Sequence, residues 1–144
     1  MCDETYRFLD HTADASVEVT ADSREGLIRA SIAALAELMD LGDPPDDRSL
    51  AEGFSLRGDG KTPAEQLVNL LNEWLVVAST KQVYPVITYT AWDKKEARVL
   101  VEVHEIDGIR PPQKEVKAIT YHAAAVIAPE KGEKLWRATW IADL

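Results

Sequence analysis

The sequence predicts an α+β domain in which two helices pack on one face of a largely antiparallel sheet. Three observations carry that prediction. Apolar residues recur at helical spacing in two segments of the first half, the pattern turns to period two after Thr80 and stays there, and the order strand, helix, strand, helix, then a run of strands segregates the two kinds of element. At 144 residues, with 46% hydrophobic and 28% charged side chains, the chain suits one domain, residues 1–144, with a core between two packed layers.

Each element has a local cause. Ala15 to Thr20 alternates around Val17 and Val19 and reads as a strand, extending a pairing begun at Tyr6 to Phe8. Asp22 stands three residues before Glu25, the spacing of a capping box, and opens a helix with Leu27, Ile28, Ser31, Leu35 and Leu38 on one stripe, which Gly42 ends. The Pro/Asp-rich run from Gly42 to Asp47 is a surface loop. A short strand from about Leu50 to Leu56 leads through Gly58-Asp59-Gly60 to Thr62-Pro63-Ala64-Glu65. There a hydroxyl N-cap, a proline at the first helical position and a carboxylate at the third start a second helix. Its apolar face carries Leu67, Leu70, Leu71, Trp74, Leu75 and Ala78. Four strands follow, Val86 to Ala91, Ala97 to His104, Val116 to Ile127 and Leu135 to Ile141. Turns fall at Asp93-Lys94-Lys95, Asp107-Gly108 and Pro129-Glu130-Lys131-Gly132.

Charge and composition exclude several functions. A net charge of -9 repels a phosphate backbone, because nucleic-acid affinity comes largely from Lys and Arg displacing counterions, so stable direct binding to RNA or DNA is not expected. The same charge suits a basic protein partner or divalent cations. No apolar run approaches the ~20 residues of a membrane helix, so no membrane association is expected. The acidic start Met1-Cys2-Asp3-Glu4 lacks the apolar stretch of a secretory signal, which gives a cytoplasmic address by default. The single cysteine, Cys2, can form neither an internal disulfide nor a thiolate zinc site. There is no glycine-rich phosphate loop, nucleophile elbow or zinc spacing.

What remains is a concentration of hard oxygen donors at the two ends of the sequence. Asp10, His11 and Asp14 lie in Phe8-Leu9-Asp10-His11-Thr12-Ala13-Asp14, and Asp143 precedes Leu144. Were the fold to bring the ends together, they would form a cation site. The alternative for Asp10 and Asp14 is that they cap turns where the chain enters a strand. His11 reads as a polar turn residue.

Four segments together resemble the archease family: Tyr6-Arg7-Phe8-Leu9-Asp10-His11-Thr12-Ala13-Asp14, Asn69-Leu70-Leu71-Asn72-Glu73-Trp74-Leu75, Lys117-Ala118-Ile119-Thr120-Tyr121-His122 and Ile141-Ala142-Asp143-Leu144. They occur in the family's order and span almost the whole chain. The resemblance implies a non-enzymatic activator of the RNA-splicing ligase RtcB, which joins tRNA halves through a guanylylated histidine and uses manganese. The activator promotes guanylylation and multiple turnover. The resemblance also implies a divalent-cation site formed by Asp14, Asp143 and the carboxylate of Leu144. Such ligands suit calcium first, with magnesium or manganese as further candidates. Lys117 is implied to serve the partner or a phosphate.

Plainer roles stand beside these. In a regular strand Lys117, Ile119 and Tyr121 share one face and Thr120 and His122 the other, so Lys117 and His122 reach one site only across a bulge. Lys117 can equally lie over a solvated sheet face. Asn72, Glu73 and Trp74 read as helix packing with an exposed edge, and Trp136 and Trp140 as core. Gln66-Leu67-Val68-Asn69 departs from the family's more acidic and aliphatic run. The segment Gly108 to Lys114 is more basic than is usual. The alternative function is a small metal-dependent hydrolase, with the Asp14/Asp143 cation activating water and His11 or His122 as base. A general chaperone or scaffold is a third reading and would be indifferent to changes at the cation site.

Overall fold

A computed structural model describes residues 4–9, 14–40, 52–80, 84–104 and 114–144 of the chain. Strand β1 (Thr5–Phe8) pairs antiparallel with β2 (Asp14–Ala21), Tyr6 opposite Val19 and Phe8 opposite Val17, as the alternation requires. Ala15, Val17, Val19 and Ala21 are buried, so β2 turns its odd-numbered side chains to the core and Asp14, Ser16, Glu18 and Thr20 to the other face.

Helix α1 (Arg24–Leu38) starts one residue later than the capping-box spacing suggests. Its N-cap is Ser23, whose Oγ accepts the Gly26 N–H at 3.1 Å, in place of Asp22. Both residue types cap well, and the backbone decides between them. Leu27, Ile28, Ser31 and Leu35 are buried as the stripe predicts. The helix is left at Asp40, which adopts φ 54° and donates its N–H to the Glu37 carbonyl. The residue predicted to end the helix, Gly42, lies outside the described residues.

Strand β3 (Glu52–Asp59) continues through Gly58 to Asp59, past Leu56 where the sequence pattern ends it. Glycine is needed because β3 passes directly beneath helix α2 (Pro63–Thr80): a Cβ at Gly58 would lie 2.0 Å from the Gln66 carbonyl oxygen. At the start of α2, Thr62 Oγ1 accepts the Glu65 N–H at 3.2 Å, and Glu65 Oε2 accepts the Lys61 N–H at 2.7 Å. Buried Gln66 then ties three segments. Its Nε2 donates to the Gly60 and Lys94 carbonyls, and its Oε1 accepts the Trp92 indole N–H at 2.7 Å.

Strands β4 (Tyr84–Trp92) and β5 (Glu96–His104) form a hairpin turned at Asp93. Its carboxylate accepts the Lys95 and Glu96 N–H groups, and the Glu96 bond first, then the Lys95 bond, holds the carboxyl below its ordinary pKa. Strand β6 (Ala118–Ile127) and strand β7 (Trp136–Asp143) complete the chain, joined by a turn with Gly132 at φ 91°.

Among the described residues every strand pairing is antiparallel, but the strands form two sheets, not one. Their orders are β1-β2-β7-β6 and β3-β5-β4. Both helices pack against both sheets, α1 on β2 and β4, α2 on β3 and β6. One core therefore serves the whole arrangement, with Trp74 and Trp140 fully buried in it. Across it Trp140 Nε1 donates to Ser31 Oγ at 3.1 Å, so the one polar side chain on the α1 stripe is satisfied. Trp136 is half-buried and lies 5.7 Å beneath the Arg24 guanidinium. Among the described residues no helix is long and apolar enough to cross a membrane.

Strand β6 departs from a regular partner of β7. Thr120 stands opposite Ile141, but the next pair is Ala125 with Thr139, so four residues of β6 face one of β7. Ala123, inside this bulge, has φ 57°, and its carbonyl accepts from Thr139 Oγ1 at 3.3 Å. An odd number of extra residues exchanges the two faces of the strand. Ile119 is therefore on the core side before the bulge and Val126 after it, opposite Ala142 and Ala138 respectively.

Candidate metal centre

Two ends of the sequence meet where β2 begins and β7 finishes. Asp14 stands directly opposite Asp143, and Ala118 opposite Asp143 on the other side, so one row crosses three strands at one end of the sheet. Ala15 and Ala142, the next pair inward, are buried, which places both aspartates on the face that the helices do not cover. Asp14 is exposed and Asp143 half-buried. The main chain of Asp143 is anchored as well, its carbonyl accepting the Lys117 N–H at 2.8 Å.

Directly opposed like charges on adjacent strands destabilise a sheet, by about 0.2–1 kcal/mol. A cation between Asp14 and Asp143 would convert that repulsion into attraction, which is the sense in which these residues fit one. Their donors are hard carboxylate oxygens, the chemistry of calcium, magnesium and manganese sites. Leu144 follows at once, and its carboxylate would be the third donor. Among the described residues no three His, Cys, Asp or Glu side chains converge on a single point, so water or main-chain oxygens would have to complete a calcium shell of ~6–8 ligands.

The other sequence-derived candidates separate from this row. Lys117 is exposed just before β6, and its backbone, at least, belongs to the site. His122 is exposed in the bulge, beyond the Thr120–Ile141 pair, so it sits farther along β6 from Asp143. Asp10 and His11 lie outside the described residues, as does Cys2. On the opposite side of the same sheet end, Phe8, Ala15, Leu38 and Leu144 line a pocket of about 430 Å³ together with Glu37, Lys114 and Glu115.

Sequence reasoning had assigned Asn72 to helix packing near an exposed edge and passed over the residue before it on the same face, Asn69. Asn72 Nδ2 donates to the Ile119 carbonyl at 3.0 Å and its Oδ1 accepts the Ile119 N–H at 2.8 Å, in the manner of one more strand at the free edge of β6. One turn earlier, Asn69 Oδ1 accepts from the Tyr121 hydroxyl. The available signal was two asparagines, weak helix formers, three residues apart within the mainly apolar stretch Leu67–Ala78.

Comparison with known proteins bears on the family and the fold. The model of the Archease protein family (MTH1598/TM1083) matches residues 6–144. "Protein archease" of Methanopyrus kandleri is 30% identical over 149 aligned positions, covering 94% of this chain and 96% of the relative. Among solved structures, the solution structure of Methanobacterium thermoautotrophicum protein 1598 superposes with a TM-score of 0.67 at 20% identity, covering 96% of this chain and 98% of that one. The Thermotoga maritima crystal structure, described as an archease and possible chaperone, gives a TM-score of 0.61 at 21% identity and covers 94% of both chains. At these identities the two structures establish a shared fold. The family model over nearly the whole length, with the Methanopyrus relative, establishes more: this chain belongs to the archease family.

Proposed function

We propose that this chain is a cytoplasmic, non-catalytic protein cofactor of the RNA-splicing ligase RtcB, promoting the ligase's guanylylation and multiple turnover in tRNA splicing and RNA ligation. The observation that carries the reading is the direct opposition of Asp14 and Asp143 on an uncovered sheet face, in a member of the archease family. Asp14, Asp143 and the Leu144 carboxylate would hold a divalent cation, calcium by preference. When bound, that ion would supply positive charge at a surface otherwise acidic.

The chain's own residues then have distinct tasks. Asp14 and Asp143 hold the negative charge in register through the β2–β7 ladder, and the Lys117 N–H keeps the end of β7 in place. The net charge of -9 steers encounter with a basic, RNA-handling enzyme without gripping RNA itself. Activation would consist in favouring a ligase conformation in which histidine and nucleotide phosphates are aligned.

The test is ligase guanylylation at limiting ligase, comparing the native chain with Asp14→Ala, Asp143→Ala and a form extended beyond Leu144. Stimulation by the native chain and its loss in all three supports the reading. Equal stimulation by all four removes the cation site from the account and favours a scaffold or chaperone. Turnover of phosphoesters with divalent metal and no ligase, lost on Asp14→Ala, would make the protein a hydrolase instead.

A further inference from the structure

The helix segment Asn69–Leu75 has no task in the cation site. Its asparagines tie α2 to β6 at Ile119 and Tyr121, and because Asn69 meets Tyr121 while Asn72 meets Ile119, helix and strand run in opposite directions. Another turn of helix, about 6 Å along its axis, leads to Val76, while two residues back along the strand, about 6.6 Å, lead to Lys117. Val76 thus comes level with Lys117, whose N–H holds Asp143. The seam between α2 and β6 runs toward the main chain that anchors Asp143.

The seam is also where apolar surface is left open. Tyr121 is 60% and Val76 59% exposed, the two largest values among the exposed large hydrophobics described. Tyr89 and Ile127 are nearly as exposed, but Tyr89 belongs to the other sheet and Ile127 stands opposite Arg137, at the far end of β7 from Asp143. The Tyr121 hydroxyl is bound to Asn69, so the ring is held in one orientation before anything meets it. An aromatic side chain so fixed loses little entropy on docking.

We propose that this seam is the surface on which the partner ligase docks, with Tyr121 and Val76 as its apolar anchors. The inference rests on the ligase reading above and adds to it a contact surface. Charge selects the occupant. The chain carries a net charge of -9 and Glu73 is exposed on α2 within the seam, so the complementary surface is a protein patch with an apolar socket edged by basic residues. Phosphate-bearing RNA and a second copy of this acidic chain would both be repelled.

The experiment measures binding of purified ligase to the native chain, Tyr121→Ala and Val76→Asp, together with calcium titration, melting temperature and sedimentation of each chain alone. Both variants are expected to bind the ligase at least tenfold more weakly while taking calcium and melting as the native chain does. Native-like ligase binding by both variants overturns the seam and leaves the ligase reading standing. A native chain that neither binds nor stimulates the ligase overturns both. Self-association of the native chain that the variants abolish assigns the seam to a second copy, and overturns the proposal. If Val76→Asp does not fold, Val76→Ser takes its place with the same expectation.

Discussion

Replacing Asn72 with alanine would test how far the edge of β6 depends on a side chain of α2. The substitution removes both hydrogen bonds to Ile119 and leaves its N–H and C=O without partners. A buried backbone group without a partner costs about 1–3 kcal/mol. This site is only partly buried and water can reach it, so the lower end applies to each group, about 2–3 kcal/mol for the pair. Alanine is the better helix former by about 0.5 kcal/mol, which opposes the loss without cancelling it. The net expectation is a destabilisation of about 2 kcal/mol, or roughly 4–8 °C in melting temperature for a chain of this length. Urea denaturation measures the first and a thermal melt the second, while amide exchange reports Ile119 directly. Asn72→Asp should recover part of the loss, since a carboxylate still accepts the Ile119 N–H but cannot donate to its carbonyl. A loss below about 0.5 kcal/mol, or an Ile119 amide that exchanges as in the native chain, would refute the idea that Asn72 substitutes for a neighbouring strand.

Without divalent cations Asp143→Asn should be as stable as the native chain or up to about 1 kcal/mol more stable, because it removes one of two opposed charges. Calcium should raise the melting temperature of the native chain and not of the variant, and an equal rise in both would count against the site. Ala123→Gly should stabilise by about 0.5–1 kcal/mol: relief of a left-handed alanine gains about 1–2 kcal/mol, and the freer unfolded chain returns about 0.4–1. A urea midpoint below that of the native chain would contradict this. Burial first, then the hydrogen bond to Glu37 and its charge, push the Tyr6 hydroxyl from 10.0 up to about 12. The folded value is raised, so this contribution to stability is complete below pH 10.0 and is lost as pH rises to about 12; Tyr6→Phe should lose less stability across that window. Parallel stability profiles for the two chains would show that Tyr6 does not contribute.

The elements with local causes were legible in the sequence. The start of α2 is one, since Thr62, Pro63 and Glu65 all act within one turn. The start of α1 was ambiguous by one residue because Asp22 and Ser23 are equally suited to cap. Period two identified strands without naming their partners, so a single sheet was the simplest expectation and two sheets are what the pairings make. The bulge in β6 left no mark, because Ala123 occupies a left-handed conformation usually signalled by Gly or Asn. At the site, the resemblance supplied Asp14 and Asp143, but their opposition joins residues at the two ends of the chain and emerges only from the β2–β7 register. The asparagines were hidden for a related reason. Their partners are backbone groups of a strand far along the chain, for which a sequence has no symbol.

The exposure of this carboxylate pair bears on how a cation and a partner would act together. In water two unit charges 4 Å apart interact by about 1 kcal/mol, and at the effective dielectric of a protein boundary by about 4. A cation between Asp14 and Asp143 would therefore be held modestly while that sheet face is open, and more firmly once a partner covered it and excluded water. Whatever factor the ligase adds to cation affinity, the cation must add to ligase affinity, because the two routes to the ternary complex share their end points. A coupling of 1–3 kcal/mol corresponds to about 5–150-fold. Calcium should then tighten ligase binding by the factor by which ligase tightens calcium binding, and Asp14→Ala should abolish both effects. Ligase binding that is the same with calcium and with chelator would show that the two sites are independent, and would reduce the cation to a structural clasp for the ends of β2 and β7.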